Sequence, residues 1–244
     1  MYLKNMKISY KEYIEKAQKS TPQLYFDYLY RKLSHPITFL ALRCGLTPNI
    51  LSCLSIILSL IGGVVVFIGY PISGLIIFIF GYIFDFCDGN AARVVIKTTG
   101  MPEEKKKFGL LIENFNTNTS LLAMYFSLGY YFSLSSHSFW PLLLGFLVFG
   151  LKMTTRYTAY QSSAVLQKKE SSSLVEMVVV VNKDLWQQIK FFLRKCLFSS
   201  NFYLAVYFLG FVLLNEKVIY LFLFYTVADG IMNLVRLLRI LYKN

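Results

Sequence analysis

The chain has 244 residues, of which 56% are hydrophobic and only 16% are charged. Soluble domains usually carry about 25% charged residues, so this composition excludes a disordered chain, a coiled coil and a disulfide-rich secreted domain. The net charge of +12 does not indicate nucleic-acid binding, because the basic residues form blocks that alternate with apolar runs. Several of these runs approach 20 residues, which is enough to cross about 30 Å of hydrocarbon. We therefore predict an all-α membrane protein.

Residues 1–45 contain charged and aromatic side chains but no apolar run long enough to cross a bilayer. They also lack the apolar core of a signal peptide, so we expect no cleaved leader. Five apolar or aromatic residues fall on one face of a helix: Leu24, Tyr25, Tyr28, Leu29 and Leu33. Asp27 and Arg31 lie off that face. This pattern predicts N-terminal helices of which one is amphipathic and lies in the cytoplasmic interface of the membrane.

Residues 46–244 contain six apolar segments with the length of a membrane-spanning helix. Their approximate bounds are 49–69, 71–90, 108–132, 139–158, 200–214 and 218–240. The sequences Gly69-Tyr70-Pro71 and Leu134-Ser135-Ser136-His137 predict tight turns between consecutive spans. Residues 159–199 are predicted to form a polar cytoplasmic loop or half-helix, with a β-branched patch at 178–181.

The distribution of basic residues predicts the orientation of these six spans. With the N-terminus in the cytoplasm, 24 of the 25 Lys and Arg residues fall in cytoplasmic segments or at the cytoplasmic ends of spans, and only Lys217 falls outside. Cytoplasmic loops of membrane proteins carry an excess of Lys and Arg, so both termini are expected in the cytoplasm.

The four cysteines do not form a recognisable metal or redox motif. Cys44, Cys53, Cys87 and Cys196 show no C-x-x-C spacing, and all lie in or beside apolar segments. We therefore predict that they are small buried residues and are neither disulfide-bonded nor zinc ligands.

Ionisable side chains inside the predicted spans require an explanation, because each costs at least about 2.5–3.5 kcal/mol on insertion. Asp85, Asp88 and Ala92 are spaced i, i+3 and i+7 and therefore share one face of the second span. Glu113 and Thr117 are one turn apart on the third span. These two spans are joined by one cytoplasmic loop, so both polar faces are predicted to lie at the same depth of the membrane.

Three carboxylates at one depth repel one another unless a cation lies between them. Oxygen ligands of this kind favour Mg²⁺, Mn²⁺ or Ca²⁺, and Mg²⁺ or Mn²⁺ on carboxylates with open positions usually takes part in phosphate chemistry. The structural alternative is that Asp85 or Asp88 neutralises Arg93 or Lys152, since charges within the membrane commonly pair.

Three short sequences together resemble one family. Residues 85–93 read DFCDGNAAR, residues 108–113 read FGLLIE, and residues 46–52 read LTPNILS. The first resembles, without a gap, the D-x-x-D-G-x-x-A-R half of the signature of the CDP-alcohol phosphatidyltransferases. The second is similar to the start of the other half, G-x-x-x-D-x-x-x-D, with Glu113 in place of the third acid. The third is similar to the T-P-N-x-x-T start of the family's first span, and the resemblance extends over about residues 30–240.

The chain departs from this family at two points. The spacer between Arg93 and Gly109 is longer than in the family, owing to the polar, Lys-rich residues 102–107. Thr117 stands where the family has its fourth acid, which serves there as the general base. A threonine hydroxyl cannot accept a proton at neutral pH.

The resemblance implies a role for each matching residue. Divalent metal, Mg²⁺ or Mn²⁺, is expected on Asp85, Asp88 and Glu113. The nucleotide is expected against Pro48, Asn49, Ser52, Asp85, Gly89 and Ala92. Arg93 and the degenerate base position Thr117 are the implied catalytic residues.

Three further charges toward the C-terminus are assigned more loosely. Lys152 and Arg156 are four residues apart and are candidates for binding a phosphate on the acceptor, or alternatively for anchoring the cytoplasmic end of their span. Asp229 is expected to pair with a basic or polar group such as Asn233.

The implied activity is the metal-dependent transfer of a substituted phosphate group from a CDP-alcohol to an acceptor hydroxyl, with release of CMP. The resemblance implies a role in membrane-lipid or polyol-phosphate biosynthesis. The active site is expected at the cytoplasmic face of the membrane, and a homodimer is one expected assembly of the protein. Two alternatives stay open from the sequence. One is a catalytically impaired relative that binds a CDP-alcohol or lipid, and the other is a component of a membrane transporter.

Overall fold

The computed structural model describes residues 9–17, 25–99, 103–166, 200–214 and 217–243, and these form eight helices and no strand. The helices are α1 (Tyr10–Ala17), α2 (Tyr25–Arg43), α3 (Pro48–Phe67), α4 (Pro71–Thr99), α5 (Glu103–Ser135), α6 (Trp140–Leu166), α7 (Ser200–Leu214) and α8 (Val218–Lys243). The predicted all-α class is confirmed for these residues.

Three of the helices in the described part of the chain are long and apolar enough to cross a membrane. They are α3, residues Pro71–Thr98 of α4 and residues Val218–Leu238 of α8, while Tyr203–Leu214 of α7 is an apolar but shorter segment. The predicted spans on α5 and α6 are interrupted by the polar stretches 113–120 and 152–158, which lower their apolar character. The structure therefore has apolar helices that indicate an integral membrane protein, and the number of six spans stays a prediction from the sequence.

The turn signals in the sequence coincide with the observed helix ends. Gly69 has a φ of 98°, a conformation that favours glycine, and α4 begins two residues later at Pro71. His137, in the turn after α5, also has a positive φ, 50°. The helices overrun the predicted spans, because α5 begins at Glu103 and α6 continues to Leu166. The predicted loop 159–199 thus starts as helix, and its remainder, with the patch 178–181, lies outside the described residues.

The chain divides into two compact units, residues 1–131 and 132–244. In the first unit α3 packs against α4, and α1 and α2 pack against α4 as well. Small residues permit the close approach of α3 and α4, since a Cβ atom added at Gly62 would lie 2.9 Å from the carbonyl oxygen of Gly74. This contact fixes the polar ends of the two helices relative to each other.

Helix α2 has two dissimilar faces. Leu29 and Leu33 are exposed, as expected for the apolar face of a helix that lies in a membrane interface. Arg31, which the sequence places off that face, is buried on the side that packs against α4. On α1, Tyr13 and Ala17 are fully buried.

In the second unit α8 packs against α6 and α7. The buried Lys152 Nζ of α6 lies 2.8 Å from Asp229 Oδ2 of α8. Asn233 donates from Nδ2 to Asp229 Oδ1 at 3.0 Å, which confirms the predicted pairing of Asp229. The Lys152 ammonium also lies 5.8 Å from the ring centroid of Tyr203.

The prediction that the cysteines are buried is correct for Cys87 and wrong for Cys44 and Cys53, which are exposed. Cys53 is exposed because it lies on α3 between Ser52 and Ser55, which belong to the buried face of that helix. Cys44 follows the last residue of α2. Cys196 lies outside the described residues.

Candidate active site

The start of α3 brings a serine hydroxyl to the acidic face of α4. Thr47 is the N-cap of α3, since its hydroxyl accepts a hydrogen bond from the backbone N–H of Ile50 at 3.4 Å, and Pro48 occupies the first turn. Ser52 follows one turn later and donates a hydrogen bond from Oγ to Asp88 Oδ2. Asp88 is only 6% exposed, so the serine hydroxyl satisfies a carboxylate that is almost fully removed from solvent.

The other acid of α4 is held by α5. Asn116 donates from Nδ2 to Asp85 Oδ1 at 2.6 Å. The same amide accepts a hydrogen bond at Oδ1 from Ser55 Oγ of α3, at 3.1 Å. Asp85 and Asp88 are therefore each fixed by a neutral hydrogen-bond donor, one from each neighbouring helix.

Glu113 lies on an exposed part of α5. Its charge and that of Asp85 both act on the carboxylate of Asp88, so the three acids share one electrostatic environment. Among the described residues, however, no group of three or more His, Cys, Asp or Glu side chains is close enough to hold a single metal ion. The structure brings Asp85 and Asp88 together on one helix face and leaves Glu113 farther out.

Two carboxylates on one helix face are a suitable donor set for a metal that also binds phosphate. Mg²⁺ is usually held by one or two carboxylates together with waters and substrate phosphates. The residues present therefore fit such an ion, with Asp85 and Asp88 as its protein ligands.

Thr117 is half-buried, and its hydroxyl donates to the carbonyl oxygen of Glu113 at 2.9 Å. This is a hydrogen bond within α5, common for a threonine in a helix, and it turns the hydroxyl back onto its own backbone. The residue of α5 that reaches Asp85 is its neighbour Asn116.

Arg93 contacts the N-terminal helices. Its Nε donates to the carbonyl oxygen of Ala17, the last residue of α1, at 2.9 Å, and its Nη2 donates to Asn90 Oδ1 at 2.5 Å. Arg31 of α2 donates to the same Asn90 oxygen at 3.3 Å. Arg93 thus ties α1 to the helix that carries the two acids, and Asn90 ties α2 to the same helix.

The surface above Gly89 is free of tight contacts among the described residues. A Cβ atom added there would meet only the guanidinium of Arg93, at 3.6 Å and 3.8 Å, which is ordinary van der Waals contact. Close helix packing, which explains Gly62 and Gly74, therefore does not explain Gly89. Ala92 is half-buried beside it, while Pro48 and Asn49 lie at the start of α3 with Asn49 exposed.

The two candidates for an acceptor phosphate have different surroundings. Lys152 is buried in its ion pair with Asp229, whereas Arg156 is exposed one turn farther along α6. Both lie in the second unit of the chain.

Residues 45–104 match the family model of the CDP-alcohol phosphatidyltransferases. The match covers about a quarter of the chain, from the turn before α3 through all of α4, and so contains Ser52, Asp85 and Asp88. It ends before Glu113 and Thr117, where the sequence departs from the family's second half-signature. No curated protein matches the chain.

Sequence reasoning missed the neutral side chains that orient the acids. Ser55 and Ser59 follow Ser52 at helical spacing on α3, and Asn116 and Ser120 are one turn apart on α5. Polar residues that recur with the helix period in an apolar segment indicate a polar seam, and this signal could have identified them. Asn90 lies inside the family signature at a position where the signature allows any residue.

Proposed function

We propose that this chain transfers a substituted phosphate group from a CDP-alcohol to the hydroxyl of an acceptor and releases CMP. The observation that carries the proposal is the pair Asp85 and Asp88, fixed by Asn116 and Ser52 inside the segment that matches the family model. Both acids lie on the cytoplasmic side of α4 in the topology that the basic residues predict.

In this proposal Asp85 and Asp88 bind Mg²⁺ or Mn²⁺ together with the pyrophosphate of the substrate, and Glu113 adds a third negative charge nearby. The bound ion supplies charge neutralisation of the pyrophosphate and of the leaving oxygen. The hydrogen bonds from Ser52 and Asn116 keep the two carboxylates in place before substrate arrives, which lowers the reorganisation that binding requires.

The nucleotide is assigned to the open surface above Gly89 and Ala92, with Pro48, Asn49 and Ser52 on the α3 side. The lack of any tight contact at Gly89 supports this assignment, because a side chain there would occupy space that the protein itself leaves open. Gly89 is then small because a substrate must approach the backbone of α4 closely.

The reaction forms a bond between the acceptor oxygen and the phosphorus that bears the transferred group. The bond from that phosphorus to the bridging oxygen breaks, and CMP leaves with the electron pair. The proton of the acceptor hydroxyl cannot pass to Thr117, so the available bases are Asp85 and a phosphate carried by the acceptor.

The proposal also includes the domain organisation of the chain and its orientation in the membrane. Residues 1–45 form interfacial helices, and residues 46–244 form one transmembrane domain of six spans with both termini and residues 159–199 in the cytoplasm. The placement of 24 of 25 basic residues on one side of the membrane supports it.

The direct test is CMP release by the purified protein from CDP-diacylglycerol and other CDP-alcohols, with Mg²⁺ or Mn²⁺ and a panel of hydroxyl acceptors. We expect divalent-dependent CMP release by the wild type and none above background by Asp88→Asn. Binding of the CDP-alcohol without turnover on any acceptor would favour the impaired relative. Ion flux through reconstituted vesicles without nucleotide binding would favour the transporter component.

A further inference from the structure

Asn116 has an unusual environment for a residue that no family signature names. It is 1% exposed, it lies on α5 next to the degenerate base position, and its Nδ2 donates to Asp85 Oδ1 at 2.6 Å. A buried amide is costly unless its polar atoms have partners. Here the amide nitrogen satisfies a carboxylate of the proposed active site.

The orientation of this amide is set by serine hydroxyls from two helices. Its Oδ1 accepts from Ser55 Oγ at 3.1 Å and from Ser120 Oγ at 3.4 Å. Ser55 has one hydroxyl proton and shares it between this amide and the carbonyl oxygen of Gly81 on α4, at 2.8 Å, and Ser120 is hydrogen-bonded to Ser59 at 2.8 Å. Because two donors are directed at Oδ1, the opposite side of the amide, Nδ2, is left to face Asp85.

We propose that Asn116 is a positioning residue that holds the carboxylate of Asp85 in the orientation needed to bind the divalent ion, an inference that rests on the proposed function. The hydrogen bond restricts rotation of the carboxylate about its Cβ–Cγ bond. The amide of Asn116 is neutral, whereas an acidic residue at this position would add a third buried negative charge beside Asp85 and Asp88. Loss of a group that orients a metal ligand typically weakens metal affinity 10-fold to 100-fold.

The test is Mn²⁺ binding to the full-length protein in detergent, measured directly by titration followed by electron paramagnetic resonance. Asn116→Leu retains the side-chain volume and removes both polar atoms. We expect it to raise the dissociation constant for Mn²⁺ by at least 10-fold. Asn114→Leu makes the same change at an exposed position two residues earlier on α5, and it is expected to bind Mn²⁺ as the wild type does.

If its melting curve shows that Asn116→Leu does not fold, a second variant tests the positioning role of Asn116. Ser55→Ala removes a hydroxyl that orients the amide and leaves Asn116 in place, so a several-fold loss of Mn²⁺ affinity is expected. The activity readout is the Mn²⁺ concentration that gives half-maximal CMP release, which should rise in parallel with the dissociation constant.

The outcomes separate this inference from the function on which it rests. Wild-type Mn²⁺ affinity in folded Asn116→Leu, with divalent-dependent CMP release by the wild type, would overturn the role of Asn116 and keep the transferase. If Asn116→Leu does not fold, unchanged Mn²⁺ affinity in Ser55→Ala would overturn it equally. A wild type that neither binds Mn²⁺ nor releases CMP would overturn both proposals.

Discussion

At the scale of single residues, Thr117 is the position where the chain departs most from the chemistry that its other residues imply. Its hydroxyl is hydrogen-bonded within α5, to the carbonyl oxygen of Glu113. Thr117→Asp would place a carboxylate at the position that corresponds to the general base in the family that the sequence resembles. We expect CMP release to rise 10-fold or more, because a positioned general base contributes about 10²–10⁴-fold.

Thr117→Asn is the control for this prediction, because it has nearly the same size as the aspartate and cannot act as a base. The initial rates of wild type and both variants are compared across the same acceptors. A lower rate for Thr117→Asp than for the wild type would show that the acceptor supplies its own base and that the new carboxylate repels the others.

A histidine of the N-terminal helices, His35, makes the stability of the protein depend on pH. Tyr13 Oη of α1 lies 3.1 Å from His35 Nδ1 of α2. Burial, together with the charges of Arg31 and Arg93, lowers the pKa of His35 below its ordinary value of about 6.5. The folded protein then binds this proton less readily than the unfolded chain. The contribution of neutral His35 to the free energy of unfolding is therefore fully present above about pH 6.5. It is lost as the pH falls through the pKa of His35 in the folded protein.

The melting temperature in detergent, measured from pH 8 to pH 5, checks this dependence. We expect the melting temperature of His35→Gln to fall less between pH 8 and pH 5 than that of the wild type. His137→Gln, in the turn after α5, serves as the control and should retain the wild-type slope. An unchanged slope in His35→Gln would rule out this role for His35.

At the scale of helices, a buried ion pair joins α6 to α8 in the second unit. The side chains of Lys152 and Asp229 are 10% and 3% exposed. Removal of one partner leaves an uncompensated buried charge, which typically costs about 3–5 kcal/mol, whereas replacement of both by apolar groups is often neutral. We expect Lys152→Met to lower the melting temperature sharply and the double variant Lys152→Met/Asp229→Leu to recover most of it.

Thermal unfolding of the two single variants and the double variant measures this coupling. Additive losses in the double variant would contradict a direct interaction between the two side chains.

The helix ends and the acidic pair were predictable from the sequence because their causes are local. Pro48, Pro71 and Gly69 act through backbone conformation, and the spacing of Asp85 and Asp88 alone places them on one helix face. The hydrogen bond from Asn116 to Asp85 was not predictable, because it depends on the rotation of α5 relative to α4. The same rotation places Glu113 on an exposed part of α5 and not in a compact three-acid cluster.

For the molecule as a whole, the orientation in the membrane decides which side of the bilayer Asp85 and Asp88 face. Tyr70, in the turn between α3 and α4, and Thr98, near the end of α4, are both exposed and lie at opposite ends of α4. In a cysteine-free background, Tyr70→Cys should react with a membrane-impermeant maleimide added outside cells. Thr98→Cys should react only after the membrane is permeabilised. The reverse pattern would place Asp85 and Asp88 at the outer face.

The central claim is that Asp85 and Asp88 bind a divalent ion that in turn binds the pyrophosphate of a CDP-linked substrate. Calorimetric titration of the purified wild type with CDP, in the presence of Mn²⁺ and in its absence, tests this claim most directly. We expect CDP to bind at least 10-fold more tightly with Mn²⁺, since the ion neutralises charge between two carboxylates and a pyrophosphate. Equal CDP affinity with and without Mn²⁺ would contradict it.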